Sequence, residues 1–154
     1  AWFCLPPDDA RLNVVNADAR KFISHPRQRG LADWLQVDLY DAAARGPVYD
    51  DVAFYRACRK ALRAPGVASF NLFGARFNPS FAAIASAFDD RALVLPEVDA
   101  GNRVVLAVVG PPLDVPFAAL DRRARELEAR WNLKARGWVA GLRRANVFGA
   151  SFEL

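Results

Sequence analysis

The chain has 154 residues, of which 53% are hydrophobic and 25% charged, and its formal net charge is +4. This length fits one domain with a sizeable core, and no apolar run reaches the roughly 18 residues that a membrane span needs. The basic surplus is not accompanied by a fingerprint of nucleic-acid binding. We therefore expect a single domain over residues 1–154 that binds neither nucleic acid nor a membrane.

The two cysteines indicate a reducing environment. Cys4 and Cys58 lack the spacing of a metal site, and Cys58 lies in a helical pattern, where it is expected to pack as a small apolar residue. No basic segment followed by an apolar run indicates a signal peptide, so we expect a cytoplasmic location. Because the sequence begins at Ala1 and contains no Met, we expect the gene product to begin further upstream.

The first 30 residues predict short elements separated by proline. Residues 1–5 are typical of the end of a helix, which Pro6 stops. Residues 11–17 alternate well enough to predict a strand, and a short helix is predicted to follow and to end before Pro26. His25, the single histidine, is interpreted as a helix-end or loop residue and not as a general base.

Residues 33–41 (Asp-Trp-Leu-Gln-Val-Asp-Leu-Tyr-Asp) predict a short buried strand that ends in two acids. Trp34 and Val37 belong to its apolar run, while Asp38 and Asp41 lie where the chain leaves the sheet. Ligands of open α/β sheets bind at the carboxyl ends of strands, which makes both carboxylates candidates for chemistry. The alternative is that one of them caps the following helix.

The remaining sequence predicts a regular alternation of elements. Helices are expected over 52–62, from Asn78 to 88, over 116–131 and within 135–154, and strands over 67–73, 92–95 and 103–109. The short link between the last two strands predicts an antiparallel hairpin. Strand and helix alternate before that hairpin, which predicts an α/β protein with a mostly parallel, Rossmann-like sheet and an antiparallel edge.

Three segments, taken in order, resemble a known family. They are residues 16–19 (Asn-Ala-Asp-Ala), residues 38–41 (Asp-Leu-Tyr-Asp) followed by Gly46-Pro47, and the helix and strand of residues 54–67. This order is similar to the C-terminal part of the spermidine synthase family of polyamine aminopropyltransferases, which have the class I methyltransferase fold. The resemblance spans residues 1–112 and aligns the hairpin link with the family's Pro-Thr-Tyr-Pro-Ser-Gly segment.

The resemblance implies transfer of an aminopropyl group from decarboxylated S-adenosylmethionine to an amine. It implies that Asp18 accepts the adenine amino group, that the Ala19 backbone N–H completes this contact, and that Pro47 also binds the cofactor. It assigns Asp38 as the base that takes the proton of the amine and Asp41 as a residue that holds the charged substrate. No metal is implied. The alternative for Asp18 is a cap of the following helix.

The departures from the family concern the substrate more than the fold. Residues 39–40 (Leu-Tyr) replace the two serines of the family motif, and Gly46-Pro47 comes two residues later than in the family. The tyrosine of the hairpin link aligns with Val98, although Glu97 and Asp99 beside it still favour a cationic substrate.

The Gly-rich cofactor loop of the family has no counterpart, since no Gly-x-Gly pattern occurs. We therefore expect a sheet that lacks the family's first strands. A small amine or polyamine is the expected partner, and a homodimer is the expected assembly. Two alternatives stay open: an S-adenosylmethionine-dependent methyltransferase, and a catalytically inactive structural domain of the same fold.

Overall fold

A four-stranded sheet with helices packed against it forms the centre of the structure, a computed structural model that describes residues 5–43, 45–97, 101–149 and 151–154. The helices are α1 (Ala19–Ser24), α2 (Val52–Ala61), α3 (Phe77–Ala87), α4 (Phe117–Trp131) and α5 (Ala135–Ala145). The strands are β1 (Ala32–Val37), β2 (Leu62–Phe73), β3 (Ala92–Val94), β4 (Asn102–Val109), β5 (Asp114–Pro116) and β6 (Ser151–Glu153). None of the described helices is both long enough and apolar enough to cross a membrane.

The sheet has the order β1-β2-β4-β3. Strands β1 and β2 are parallel, whereas β2 with β4 and β3 with β4 are antiparallel. The α/β class and the antiparallel hairpin are therefore confirmed, but the described sheet is mixed and has a smaller parallel share than expected. Strands β5 and β6 form a separate antiparallel pair.

The strand predicted over residues 11–17 is wrong. These residues are exposed for the most part and form no ladder; instead, the Asp9 carboxylate accepts the backbone N–H groups of Arg11 and Leu12 at 2.6 and 2.8 Å. Alternation of side chains does not make a strand unless a neighbouring strand pairs with it, and the described residues supply none here. The helix end predicted over residues 1–5 lies, apart from Leu5, outside the described residues.

One face of the sheet carries the hydrophobic core. Every second residue of β2 points to α2 and α3, because side chains alternate along a strand. The aromatic rings at the centre meet edge to face, with Phe70 5.1 Å from Tyr55 and 5.9 Å from Phe88 between ring centroids. The buried cluster contains Phe54, Tyr55, Cys58, Leu62, Ala68, Phe70, Leu72, Ile84, Ala87, Phe88, Val105 and Ala107.

Cys58 packs within this cluster as the sequence predicts. Its side chain is fully buried, and burial raises the pKa of its thiol to about 12. A thiol in such surroundings stays protonated and unreactive.

The opposite face of the sheet is partly open, which corrects the prediction of a buried strand at β1. Leu35 and Val37 pack against the core, but Trp34 is 65% exposed. Its indole N–H lies 3.5 Å from the Ser69 hydroxyl on β2. The sequence pattern cannot assign the two faces of a short strand, because it does not show which face the helices cover.

Helices α2 and α3 begin in different ways. The Asp51 side chain caps α2 and accepts the Phe54 N–H at 2.9 Å. Helix α3 begins at Phe77, directly after a 3₁₀ turn over Gly74–Arg76, one residue before the predicted start at Asn78. The turn supplies helical backbone geometry before the helix, and Arg76 makes no side-chain cap.

Removal of the central ring should destabilise the fold. We expect Phe70→Ala to lower the free energy of unfolding by about 3–5 kcal/mol, because it leaves a cavity between two aromatic rings. Phe73→Ala is the matched control on the same strand, since Phe73 is 40% exposed, and it should cause a much smaller loss. Urea titrations followed by circular dichroism measure both, and equal losses would contradict this description of the core.

Candidate functional site

The candidate site lies where β1 ends beside β2. Asp38 is the first residue after β1, and the register places Val37 opposite Phe70. The next residue of β2, Asn71, donates a hydrogen bond of 3.1 Å from its side-chain amide to Asp38 Oδ1. The parallel pairing thus brings an amide and a carboxylate together at the carboxyl edge of the sheet, where α/β proteins bind ligands.

Asp38 lines two cavities on opposite sides of the sheet. One, of about 300 Å³, lies beside α1 and is mostly apolar; it is lined by Ala19, Phe22, Ile23, Leu35, Gln36, Val37, Asp38, Leu39, Phe54 and Cys58. The other, of about 440 Å³, lies on the partly open face; it is lined by Trp34, Gln36, Val37, Asp38, Ser69, Asn71, Leu95, Val104 and Leu106. The structure therefore brings two predicted site residues, Asp38 and Ala19, to one cavity.

Asp18 caps α1, as the alternative interpretation predicts. Its Oδ1 accepts the Lys21 N–H at 2.8 Å, while its Oδ2 accepts a hydrogen bond from the Tyr49 hydroxyl. The Tyr49 bond is the main reason that the pKa of Asp18 is lowered, and the Lys21 N–H adds to the effect. The same bond to Asp18 is the main reason that the pKa of Tyr49 is raised.

Asp41 closes its own loop. Its carboxylate accepts the backbone N–H groups of Ala43 and Arg45 at 2.9 Å each, and the Arg45 Nε at 2.9 Å. The backbone bond to Arg45, followed by its side chain, lowers the pKa of Asp41. Neither cavity at Asp38 is lined by Asp41 or by Pro47. Since Asp51 caps α2, the alternative that Asp38 or Asp41 caps this helix is wrong.

Tyr40 and Gly46 are packed against each other. A Cβ added at Gly46 would lie 2.6 Å from the Tyr40 ring and 2.7 Å from the Leu39 carbonyl oxygen, so no larger residue fits there. The Tyr40 hydroxyl is buried and has no hydrogen-bond partner among the described residues. Burial, and then the negative charge of Asp38, raise the pKa of Tyr40. The aromatic ring at this departure from the family motif therefore shapes the loop.

Three residues of this region were not predicted from the sequence. Asn71 had a signal, because it is one of two polar residues in the strand predicted over 67–73. No local sequence signal marks Tyr49 or Arg20, since their contacts join distant parts of the chain. The Arg20 guanidinium pairs with the Asp51 carboxylate and lies 4.5 Å from the Tyr49 ring centroid and 5.7 Å from that of Phe54.

Glu97, which was expected to favour a cationic substrate, is already paired with a cation of this chain. Arg103 donates two hydrogen bonds to Glu97 Oε2, at 2.6 and 2.8 Å, and its guanidinium lies 4.6 Å from the Phe77 ring centroid. Val98 and Asp99 lie outside the described residues. Across the described ranges, no group of three or more His, Cys, Asp or Glu side chains is arranged to hold a metal ion.

Comparison with curated proteins shows a consistent similarity. The chain is 28% identical over 148 residues to the polyamine aminopropyltransferase of Chromobacterium violaceum, which covers 95% of this chain and 56% of that protein. It is 27% identical over 146 residues to that of Neisseria meningitidis serogroup A, covering 94% and 55%. The chain thus spans little more than half the length of these relatives. No protein-family model matches the chain.

Solved structures show the same fold. A probable spermidine synthase from Corynebacterium glutamicum superposes with a TM-score of 0.61 at 16% identity, covering 93% of this chain and 56% of that one. A spermidine synthase in complex with the transition-state analogue AdoDATO superposes with a TM-score of 0.56 at 22% identity, covering 67% and 38%. The spermidine synthase of Thermotoga maritima gives a TM-score of 0.52 at 19% identity, covering 67% and 36%.

The fold is a methyltransferase-like α/β fold, as in the spermidine synthase structures with which it superposes. The sequence similarity confirms the predicted resemblance to the spermidine synthases, or polyamine aminopropyltransferases. It covers 95% of the chain and so extends beyond the predicted residues 1–112.

The Tyr40 hydroxyl, which has no hydrogen-bond partner within the described part of the chain, gives a stability prediction. We expect Tyr40→Phe to raise the free energy of unfolding by about 1 kcal/mol, because a buried hydroxyl without a partner loses its bonds to water. Tyr55→Phe is the matched control, since the buried Tyr55 hydroxyl donates to Asp50 Oδ1 at 2.9 Å and its removal should lower stability. Denaturant titrations measure the free energy of unfolding of both variants. Destabilisation by Tyr40→Phe would show that the Tyr40 hydroxyl is hydrogen-bonded in solution.

Proposed function

We propose that this chain is part of an aminopropyltransferase that moves the aminopropyl group of decarboxylated S-adenosylmethionine to a small amine or polyamine. The observation that supports this most is Asp38, which is held by Asn71 at the edge of the sheet and lines a cavity with Ala19, in a chain similar to polyamine aminopropyltransferases. The proposal includes a single domain over residues 1–154. The expected homodimer and cytoplasmic location stay predictions.

The chemistry explains why a carboxylate is required. Alkyl amines have pKa values near 10 and are mostly protonated at neutral pH, yet only the neutral nitrogen is a nucleophile. A carboxylate attracts the cationic amine and takes up its proton. The nitrogen attacks the aminopropyl carbon next to the sulfonium sulfur, the C–N bond forms as the C–S bond breaks, and the electron pair stays on sulfur. The products are the extended amine, 5′-methylthioadenosine and a proton, which Asp38 receives.

Asn71 prepares Asp38 for this role. Its amide engages Oδ1, and the described residues contain no hydrogen-bond donor to Oδ2, which leaves this oxygen for the amine. An amide is suited to the task because it is uncharged: it fixes the carboxylate without neutralising it, whereas a lysine or arginine would compete with the cationic substrate.

The nucleoside is proposed to bind beside α1. Asp18 would accept its amino group, and Ala19 and Pro47 would complete the contact, as the family resemblance implies. The apolar cavity lined by Ala19 has about 300 Å³, which is the lower limit for small-molecule sites. Asp41 would have to exchange its Arg45 contacts for a substrate amine, so its role as a substrate ligand stays a prediction.

A catalytically inactive domain of the same fold is the second candidate, and one specific observation favours it. Three acids that the sequence associated with ligands are bound by side chains of this chain: Asp18 by Tyr49, Asp41 by Arg45 and Glu97 by Arg103. Carboxylates paired in this way offer less to an amine or a nucleoside. A methyltransferase activity has no such observation in its favour.

The role of Asp38 as the base is tested by a substitution that removes its charge and keeps its size. We expect Asp38→Asn to lower the transfer rate by at least about 100-fold, the usual contribution of a general base, while binding of 5′-methylthioadenosine is largely kept. The assay is chromatographic detection of 5′-methylthioadenosine formed from decarboxylated S-adenosylmethionine with putrescine or another diamine, together with calorimetric titration of the nucleoside.

Asp33→Asn is the matched control. It makes the same change within β1, the strand that precedes Asp38, at a carboxylate that is paired with Arg63 at 2.5 Å and lines neither cavity, and it should leave turnover unchanged. Normal turnover by Asp38→Asn would exclude Asp38 as the base. Nucleoside binding without product from the unaltered protein would favour the inactive domain, and a methylated product from S-adenosylmethionine would favour the methyltransferase.

A further inference from the structure

The Tyr49 hydroxyl donates a hydrogen bond to the Asp18 carboxylate, which the proposed function assigns to the nucleoside. We propose that Tyr49 is a specificity-determining residue of the nucleoside site, because its hydroxyl takes the acceptor oxygen of Asp18 that an adenine amino group would use. This inference rests on the proposed function, which assigns Asp18 to the adenine of the nucleoside but gives Tyr49 no role.

The orientation of the Asp18 carboxylate leaves one oxygen for a ligand. Oδ1 accepts the Lys21 N–H at 2.8 Å, and this bond holds the side chain at the start of α1. Oδ2 is therefore the oxygen that can accept an additional donor, and the Tyr49 hydroxyl donates to it. A donor on a nucleoside has to replace Tyr49 or share this oxygen with it.

The Tyr49 ring is held in place on two sides. The Arg20 guanidinium lies 4.5 Å from its centroid, a distance typical of a cation–π contact. The Phe54 ring lies 5.3 Å away on a tilted plane. Arg20 is itself paired with Asp51, the cap of α2. The hydroxyl is thus presented to Asp18 by a supported ring.

Tyr49 and an adenine amino group are donors of the same kind, because both are uncharged. The hydrogen bond lowers the pKa of Asp18 and raises that of Tyr49, so an ionised carboxylate accepts from a neutral hydroxyl at neutral pH. The exocyclic amino group of adenine is also a neutral donor. Its hydrogen bond to a carboxylate is strengthened by the charge of the acceptor, as is that of the hydroxyl. Binding of the nucleoside at Asp18 therefore exchanges one hydrogen bond for a similar one, and the amino group adds little to the affinity of the nucleoside.

A consequence is that Tyr49 weakens discrimination between purines. A nucleoside with an amino group at the position facing Asp18 must compete with the hydroxyl. An analogue with a carbonyl group there cannot donate to Oδ2 and gains no hydrogen bond to Asp18 when the hydroxyl is removed. The preference for adenine should therefore increase when the hydroxyl is removed.

The test is Tyr49→Phe in the protein expressed from its own gene, with 5′-methylthioadenosine and 5′-methylthioinosine as calorimetric probes. We expect the affinity for the adenosine compound to rise by at least about threefold, because a bond to a charged group no longer has to be replaced. The affinity for the inosine compound should not rise, because its carbonyl group cannot donate to Asp18. Tyr40→Phe removes the hydroxyl of another tyrosine in the same loop and should leave both affinities as they are.

A second measurement needs no ligand. The pKa of Asp18, followed by NMR of its carboxyl carbon, should rise towards its ordinary value in Tyr49→Phe and stay low in Tyr40→Phe. An unchanged pKa would show that the hydrogen bond is absent in solution and would overturn the inference.

The two measurements separate the inference from the proposed function. A raised pKa with equal or weaker binding of 5′-methylthioadenosine by Tyr49→Phe would overturn the role of Tyr49 alone. A raised pKa with no nucleoside binding to either protein would overturn the proposed function, and the role of Tyr49 with it.

Discussion

The parallel pairing of β1 with β2 is the constraint on which the site depends. It fixes the register that sets Val37 opposite Phe70, and this register brings Asn71 within hydrogen-bond distance of Asp38. A shift by one residue would turn Asn71 into the core and Phe70 to the open face, since side chains alternate along a strand. The same pairing that buries Phe70 between two aromatic rings therefore also orients the candidate base.

Each of the described carboxylates considered around the site is bonded by a side chain of the protein, and Asp38 combines an uncharged partner with a position beside two cavities. Asp18, Asp41 and Glu97 each accept donors from side chains of the protein, two of them from arginine. Asp38 has a neutral amide as its described partner. A carboxylate that keeps its full charge beside a cavity is suited to attract a cation, whereas a carboxylate paired with arginine is not.

The sequence predicted the elements well and the contacts between them poorly. Helices α2 and α4 and the β3–β4 hairpin follow directly from periodicity, and the placement of Asp38 after a strand follows from the change of apolar to acidic residues. The strand over residues 11–17 failed because local alternation does not reveal whether a pairing neighbour exists. Tyr49 was missed because its partner lies 31 residues earlier in the chain, a separation that no local pattern encodes.

Asp51 has two partners that belong to different parts of the structure. Its carboxylate caps α2 through the Phe54 N–H and pairs with Arg20, which lies over the Tyr49 ring. Residues that share one partner have non-additive effects on free energy. The start of α2 and the surroundings of Asp18 therefore form one cooperative unit, and local opening of the loop before α2 would loosen both together.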